Sequence, residues 1–220
     1  MPDIQSKKSS DIAVDNEPSR RERKKKETRA KLIDAIYHLT ATQGLESVTI
    51  RDVATEADIG LGSFYSYFDS KEALLDEAIV EIMFKSGELI DATVIDFDDP
   101  VYKVATAFTM FEKIVRNDPI FGWFLIKVQD YRPELGATMT ERLKRDVEQG
   151  IEKGVFDVPD LDVALRMIGV SVYAFHRDRL LDIAKPEDIP HHVHMLLRAI
   201  GTDDEKARLV ARDVWKKQLD

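Results

Sequence analysis

Residues 58–75 read Asp58-Ile59-Gly60-Leu61-Gly62-Ser63-Phe64-Tyr65-Ser66-Tyr67-Phe68-Asp69-Ser70-Lys71-Glu72-Ala73-Leu74-Leu75, and the fold turns on how this stretch is read. A short helix fits about residues 61–67, and Asp69-Ser70-Lys71-Glu72 resembles a cap opening a longer helix through Leu74, Leu75, Ala78, Ile79 and Ile82. Upstream, Thr49 caps another short helix, about 50–57, with Ile50, Val53, Ala54 and Ala57 facing inward. Two short helices joined by a tight turn, with a small residue where they cross, satisfy helix-turn-helix geometry. The turn requires a residue that tolerates left-handed torsions, and Asp58 stands there; Asp does so better than most non-glycine residues. Ile59 and Phe64 would plug the core beneath the second helix, leaving Leu61, Ser63, Tyr65 and Tyr67 outside. A plain loop between packed helices is the competing reading of the same pattern.

Moving outward, Leu32, Ala35, Ile36 and Leu39 recur at three- and four-residue steps, predicting a helix over about 22–43 with Gly44 as its stop. Residues 1–19 are polar and aperiodic, and read as a disordered tail. Downstream, helices are expected over about 100–116, 119–130, 133–153, 160–184, 188–200 and 203–217, separated by Pro- and Gly-containing breaks. Ala92 to Phe97 is the one β-branched alternation, and it is short. The expected fold is all-α: a three-helix N-terminal unit, residues 20–70, joined by a long helix to a larger helical bundle, with residues 71–220 forming the second unit.

The 220 residues carry 44% hydrophobic and 33% charged side chains, no cysteine, and a net charge of −9. Zero cysteines exclude disulfides, thiolate zinc sites and a cysteine nucleophile. The N-terminal residues lack the apolar core of a secretory signal and no run is long enough to span a bilayer, so a cytoplasmic location is expected. The charge is unevenly spread. Arg20–Lys31 holds eight basic and two acidic residues, a local charge of +6, whereas Glu72 to the end sums to −9. A local basic patch engages phosphates while an acidic remainder keeps the chain off other polyanions; a solvated helix face is the other reading of the run.

The segment Thr49-Ile50-Arg51-Asp52-Val53-Ala54, followed by Ala57 to Leu75, closely resembles the TetR-family DNA-binding domain, most specifically at Gly62-Ser63-Phe64-Tyr65-Ser66-Tyr67-Phe68-Asp69-Ser70-Lys71-Glu72. The resemblance covers roughly residues 22–76, and departs from the usual pattern at Asp58, commonly Gly, and Gly60, often Ser or Thr. It implies operator binding through Thr49 and Arg51 at one helix start, and through Leu61, Gly62, Ser63 and Tyr65 facing the major groove. Tyr67 and Lys71 are implied to contact phosphates, with the basic run adding others. For Tyr65 and Tyr67 ordinary packing beside Phe64 and Phe68 stays open.

The rest resembles the family in size and helical layout. Phe108, Met110, Phe111, Phe121, Trp123, Phe124, Tyr131, Met139, Met167, Tyr173 and Phe175 form an aromatic and methionine-rich set. In the family such a set commonly lines a pocket for an apolar or amphipathic small molecule. The ligand-lining candidates are Phe108, Phe111, Trp123, Phe124, Tyr131, Met139 and Tyr173, with His176 as a polar contact; simple core packing is the alternative for each. His191, His192 and His194 diverge on a helix and show no carboxylate partner in sequence, so no metal site is expected. The segment Leu161–Ala184 is apolar nearly all round and must bury two faces. Gly169, Ser171 and Ala174 would let backbones approach closely. With the helix carrying Val193, Leu196, Leu197 and Ile200, it matches the family's four-helix dimer interface, a central helix within a monomer being the other reading.

These readings converge on a cytoplasmic homodimeric transcription regulator without enzymatic activity, metal or other cofactor. Its partners would be double-stranded operator DNA and a small-molecule effector, and it would act as a repressor released from a palindromic operator by that effector. A regulator of the same type without a ligand, and a helical protein-interaction adaptor, are the rival readings.

Overall fold

The computed structural model describes residues 19–131 and 137–219. Its first helix, α1 (Arg20–Gln43), begins at Ser19, whose hydroxyl accepts from the Glu22 amide while the Glu22 carboxylate accepts from the Ser19 amide. Ser19 is thus a cap; the rest of the expected tail, residues 1–18, lies outside the described residues. Gly44 ends α1 at φ 81°, a left-handed torsion that glycine adopts freely.

Helices α2 (Ile50–Glu56) and α3 (Leu61–Phe64) follow, then the long α4 (Lys71–Val94). The second short helix ends at Phe64, three residues earlier than its apolar pattern predicted. Beyond it the Ser66 and Tyr67 amides bond only three residues back, so the helix tightens into turns. At 24 residues α4 spans about 36 Å; its last turn takes in Ala92 to Val94 of the β-branched stretch, and Ile95 to Phe97 follow as a turn.

The remaining helices are α5 (Pro100–Asn117), α6 (Pro119–Tyr131), α7 (Ala137–Glu152), α8 (Leu161–Leu180), α9 (Ile189–Ala199) and α10 (Asp204–Leu219). Among the described residues there is no strand, as the sequence predicted. The helix expected to reach residue 184 stops at Leu180, because Asp182 adopts φ 57°. No described helix is long and apolar enough to cross a membrane.

Two apolar cores organise the molecule. The first is built on Leu32, Ile36, Val53, Phe64, Leu74 and Leu75 of α1–α4, and it does not close at residue 70: Phe124 and Val128 of α6 complete it. The second joins α5 and α7–α10. Val193, Leu196, Leu197 and Ile200 belong to this second core and are buried there. These four side chains are therefore spent within the chain, and a partner could meet α9 only on its other face. The amphipathic stripe of α9 is satisfied by α5 and α10; the exposed face of α9 instead carries His191, Met195 and Arg198.

Candidate nucleic-acid interface and effector cavity

The turn between α2 and α3 is set by Asp58 at φ 54° and by the Ile59 amide, which donates to the Ala54 carbonyl at 2.9 Å. Ala54 is buried at the crossing, where a larger side chain would push the helices apart. Gly60 caps α3 with backbone alone. Phe64 and Phe68 anchor this segment in the first core, their rings 6.2 Å apart, and Ile59 packs against the same core. With those anchors buried, α3 and the turn after it project Leu61 (41% exposed), Gly62, Ser63 and Tyr65 (57% exposed) to solvent. Tyr67 is half-buried against the core.

Three residues read as DNA contacts have additional roles inside the chain. Thr49 and Asp52 form a capping box: the Thr49 hydroxyl donates to Asp52 Oδ2 at 2.6 Å and accepts from the Asp52 amide at 3.2 Å. That hydroxyl, with the Thr49 amide, holds the Asp52 carboxyl below the usual carboxylate range. Lys71 reaches back to the α1–α2 loop, its Nζ donating to the carbonyls of Leu45 (2.9 Å) and Val48 (2.8 Å). In the basic run, Arg29 turns inward, pairing with Glu77 of α4 and lying 4.9 Å from the Phe68 ring centroid. Arg20, Arg21, Arg23, Lys24, Lys25, Lys26 and Lys31 remain exposed, as does Arg51 at the start of α2.

A cavity of about 640 Å³ lies between α4, α5, α6, α7 and α8. Phe111, Phe124, Met139, Tyr173 and His176 line it, together with two residues of α4: Ile79, read from sequence only as part of that helix's apolar stripe, and Met83, which the sequence reading did not single out. Phe108 packs instead against the second core and Trp123 against the first, while the Tyr131 side chain lies outside the described residues. Met167, grouped with this set by composition, is 64% exposed on the outer face of α8.

His176 is buried with its ring edge-on to Phe111, centroids 4.9 Å apart. Its Nδ1 donates to the Val172 carbonyl at 2.6 Å, and its Nε2 lies 3.3 Å from Oε1 of Glu112, also buried. Burial pushes the Glu112 carboxyl up to about 7 against the opposing charge of Arg179, and pushes the His176 imidazole down to about 4. A proton on Glu112 leaves the pair uncharged, as its dry surroundings favour. Sequence gave no hint of Glu112, a lone acid on an apolar helix face.

The three clustered histidines serve different neighbours. His191 is exposed, His192 stacks on Phe175 at 4.1 Å and lies 3.0 Å from the Ser171 hydroxyl, and His194 meets Asp204 at 3.0 Å. Among the described residues no group of three potential ligands converges on a metal position.

Helix-turn-helix, exposed α3 and a helical bundle with a cavity between its helices define a class, and comparison with known proteins agrees. Residues 32–78 match the model of bacterial regulatory proteins of the tetR family, and residues 99–213 match that of the tetracyclin repressor-like C-terminal domain. The HTH-type transcriptional repressor KstR2 of Rhodococcus jostii (strain RHA1) is 30% identical over 148 residues, 62% of this chain and 71% of that protein. KstR2 of Mycobacterium tuberculosis (strain H37Rv) is 30% identical over 167 residues, 68% of this chain and 76% of that protein. Among solved structures, RolR in complex with resorcinol aligns with a TM-score of 0.69 at 28% identity, covering 86% of this chain and 95% of that one. The fatty acid degradation regulator FadR from Bacillus halodurans shares the fold, with a TM-score of 0.64 at 19% identity over 86% of this chain and 94% of that one. This chain belongs to the TetR family: it is a DNA-binding, helix-turn-helix transcriptional repressor.

Proposed function

We propose that the protein acts as a homodimer on a palindromic operator and leaves it when a small apolar or amphipathic molecule fills the cavity. The observation that carries this reading is the position of Phe124. It is fully buried, it forms part of the cavity wall, and it belongs to the same apolar core as Phe64 and Leu32 of the DNA-binding unit. A ligand that moves this wall acts on packing that positions α3, and it shifts the equilibrium by its differential affinity for the two arrangements.

Dimerisation is supported by the outer face of α8, where Val163, Met167 and Val170 are 42, 64 and 70% exposed. Paired recognition helices read two half-sites about one or more DNA turns apart, which a single copy cannot do. In this reading Leu61, Gly62, Ser63 and Tyr65 meet base edges, while Arg51, Tyr67 and the exposed lysines and arginines of α1 meet phosphates or, for Arg51, guanine. Thr49 and Lys71 then contribute chiefly by holding α2 and its preceding loop.

Fluorescence anisotropy with the DNA upstream of the protein's own gene tests the proposal. Selective, salt-sensitive binding is expected, weakened by some member of a panel of phenols, fatty acids and other apolar or amphipathic small molecules. RolR was solved with resorcinol, which makes a phenol a sensible first compound. Binding that no compound in a broad panel weakens would count against ligand release, and absence of selective binding would reject the operator reading.

A further inference from the structure

Two buried polar groups meet at the cavity wall without satisfying each other. His176 lines the cavity from α8 and Glu112 stands beside it on α5, each 5% exposed. The Nδ1 of His176 faces the Val172 carbonyl, which can only accept, so the ring hydrogen sits on Nδ1. Burial keeps the imidazole neutral, and Nε2 is left as a lone-pair acceptor. Burial also drives the Glu112 carboxyl toward its protonated form, a donor. Yet Nε2 and Oε1, 3.3 Å apart, make no hydrogen bond with each other or with another described residue. Buried polar atoms in that state cost folding free energy. One group complements both. A hydroxyl oxygen can sit about 2.8 Å from each atom at once, donating to Nε2 and accepting from the carboxyl.

The rest of the wall suits the same kind of molecule. Phe111, edge-on to the His176 ring, and Phe124 give it apolar surface. Its charged residues, Glu141, Lys144, Asp162 and Arg166, are two of each sign, and Lys144 pairs with Asp162 at 3.3 Å. An ionised ligand meets no net countercharge there. We infer that the effector is an uncharged apolar molecule bearing a hydroxyl, selected by His176 and Glu112 through that hydroxyl. The inference rests on the cavity being the effector site, and adds the chemistry by which that site chooses among apolar molecules. A methyl ether of similar shape can accept from Glu112 but leaves Nε2 unsatisfied, so discrimination falls on the hydroxyl hydrogen.

Isothermal titration calorimetry compares 4-propylphenol with its methyl ether, with 4-propylbenzoate and with 4-propylcyclohexanol. The parent should bind the phenol at least tenfold more tightly than the ether. Cyclohexanol affinity within tenfold of the phenol would extend the class to alcohols, and weaker binding would confine it to phenols. His176→Phe should cut the preference for phenol over ether below threefold. His176→Gln, whose carboxamide oxygen replaces Nε2 as acceptor, should restore part of it; circular dichroism checks the fold of both. Equal parent affinity for phenol and ether, or tighter binding of the benzoate, would overturn the inference while leaving the cavity a small-molecule site. So would an undiminished preference in folded His176→Phe. No heat from any of the four compounds would overturn it together with the cavity reading. A phenol that binds selectively yet leaves operator anisotropy unchanged would instead overturn ligand release, with the hydroxyl site intact.

Discussion

The hydroxyl of Tyr37, on α1, donates to Oδ2 of Asp118 at 2.9 Å, and the other carboxylate oxygen of Asp118 accepts from the Phe121 amide at 3.0 Å, in the first turn of α6. One side chain thus starts a cavity-lining helix and ties it to the DNA-binding unit. Tyr37 also packs edge-on against Phe124, centroids 5.0 Å apart, and burial with the nearby Asp118 charge raises its phenol pKa. In a double-mutant cycle of Tyr37→Phe and Asp118→Ala, followed by urea denaturation, the two should couple by about 1 kcal/mol. Additive effects would show that the contact carries no energy.

Lys71 illustrates a different use of charge. Its ammonium satisfies two loop carbonyls before α2, at Leu45 and Val48. Lys71→Met keeps the apolar stem and removes both donors, so stability should fall by about 1–2 kcal/mol. DNA affinity should fall with it, through a loosened α2. An unchanged denaturation midpoint, with a salt slope reduced by about one, would make Lys71 a phosphate ligand only.

That contrast shows what the sequence could and could not disclose. Asp58, Ala54, Gly60 and Phe64 act within a few residues of one another, so the turn, the crossing and the buried anchor were all readable locally. The partners of Lys71 lie 23 and 26 residues upstream, and a cation at a helix start looks the same whether it meets a phosphate or a carbonyl. Likewise, the stripe of Val193, Leu196, Leu197 and Ile200 announces a buried face without saying against what. Docking of α6 on α1, which makes Phe124 common to core and cavity, depends on contacts about 90 residues apart in sequence, a separation at which no periodicity signals pairing.

Tyr65 and Phe64 are neighbours with opposite duties. Phe64 is fully buried, whereas Tyr65 is 57% exposed and touches only the edge of that ring, at 5.4 Å. Tyr65→Ala should leave the folded protein within about 0.5 kcal/mol of the parent, yet relax discrimination at one operator position by about 1–3 kcal/mol. Phe64→Ala should cost about 3–5 kcal/mol of stability. Anisotropy on single-base operator variants, run beside urea melts, separates the two. Intact selectivity in Tyr65→Ala would remove that residue from base readout.

Glu112, His176 and His192, all withdrawn from solvent to different degrees, predict opposing pH dependences. Glu112 is raised from 4.5 to about 7, so the native state holds a proton that the unfolded chain has released; its contribution is full below pH 4.5 and declines as pH rises toward 7. His176 and His192 are both lowered from 6.5 to about 4, so the unfolded chain binds protons that the native state refuses. Their contribution is full above pH 6.5 and is lost as pH falls toward 4. Between pH 4.5 and 6.5 one falling slope meets two rising ones, each at most about 1.4 kcal/mol per pH unit. Relative to the parent, Glu112→Gln should therefore steepen the rise of stability with pH across this window. His176→Gln, which leaves Glu112 opposed by His192 alone, should flatten it. All other titrating groups are common to the three proteins and cancel in the comparison. Urea denaturation at half-unit pH steps measures the slopes, and three parallel curves would show that neither Glu112 nor His176 is perturbed in the folded protein.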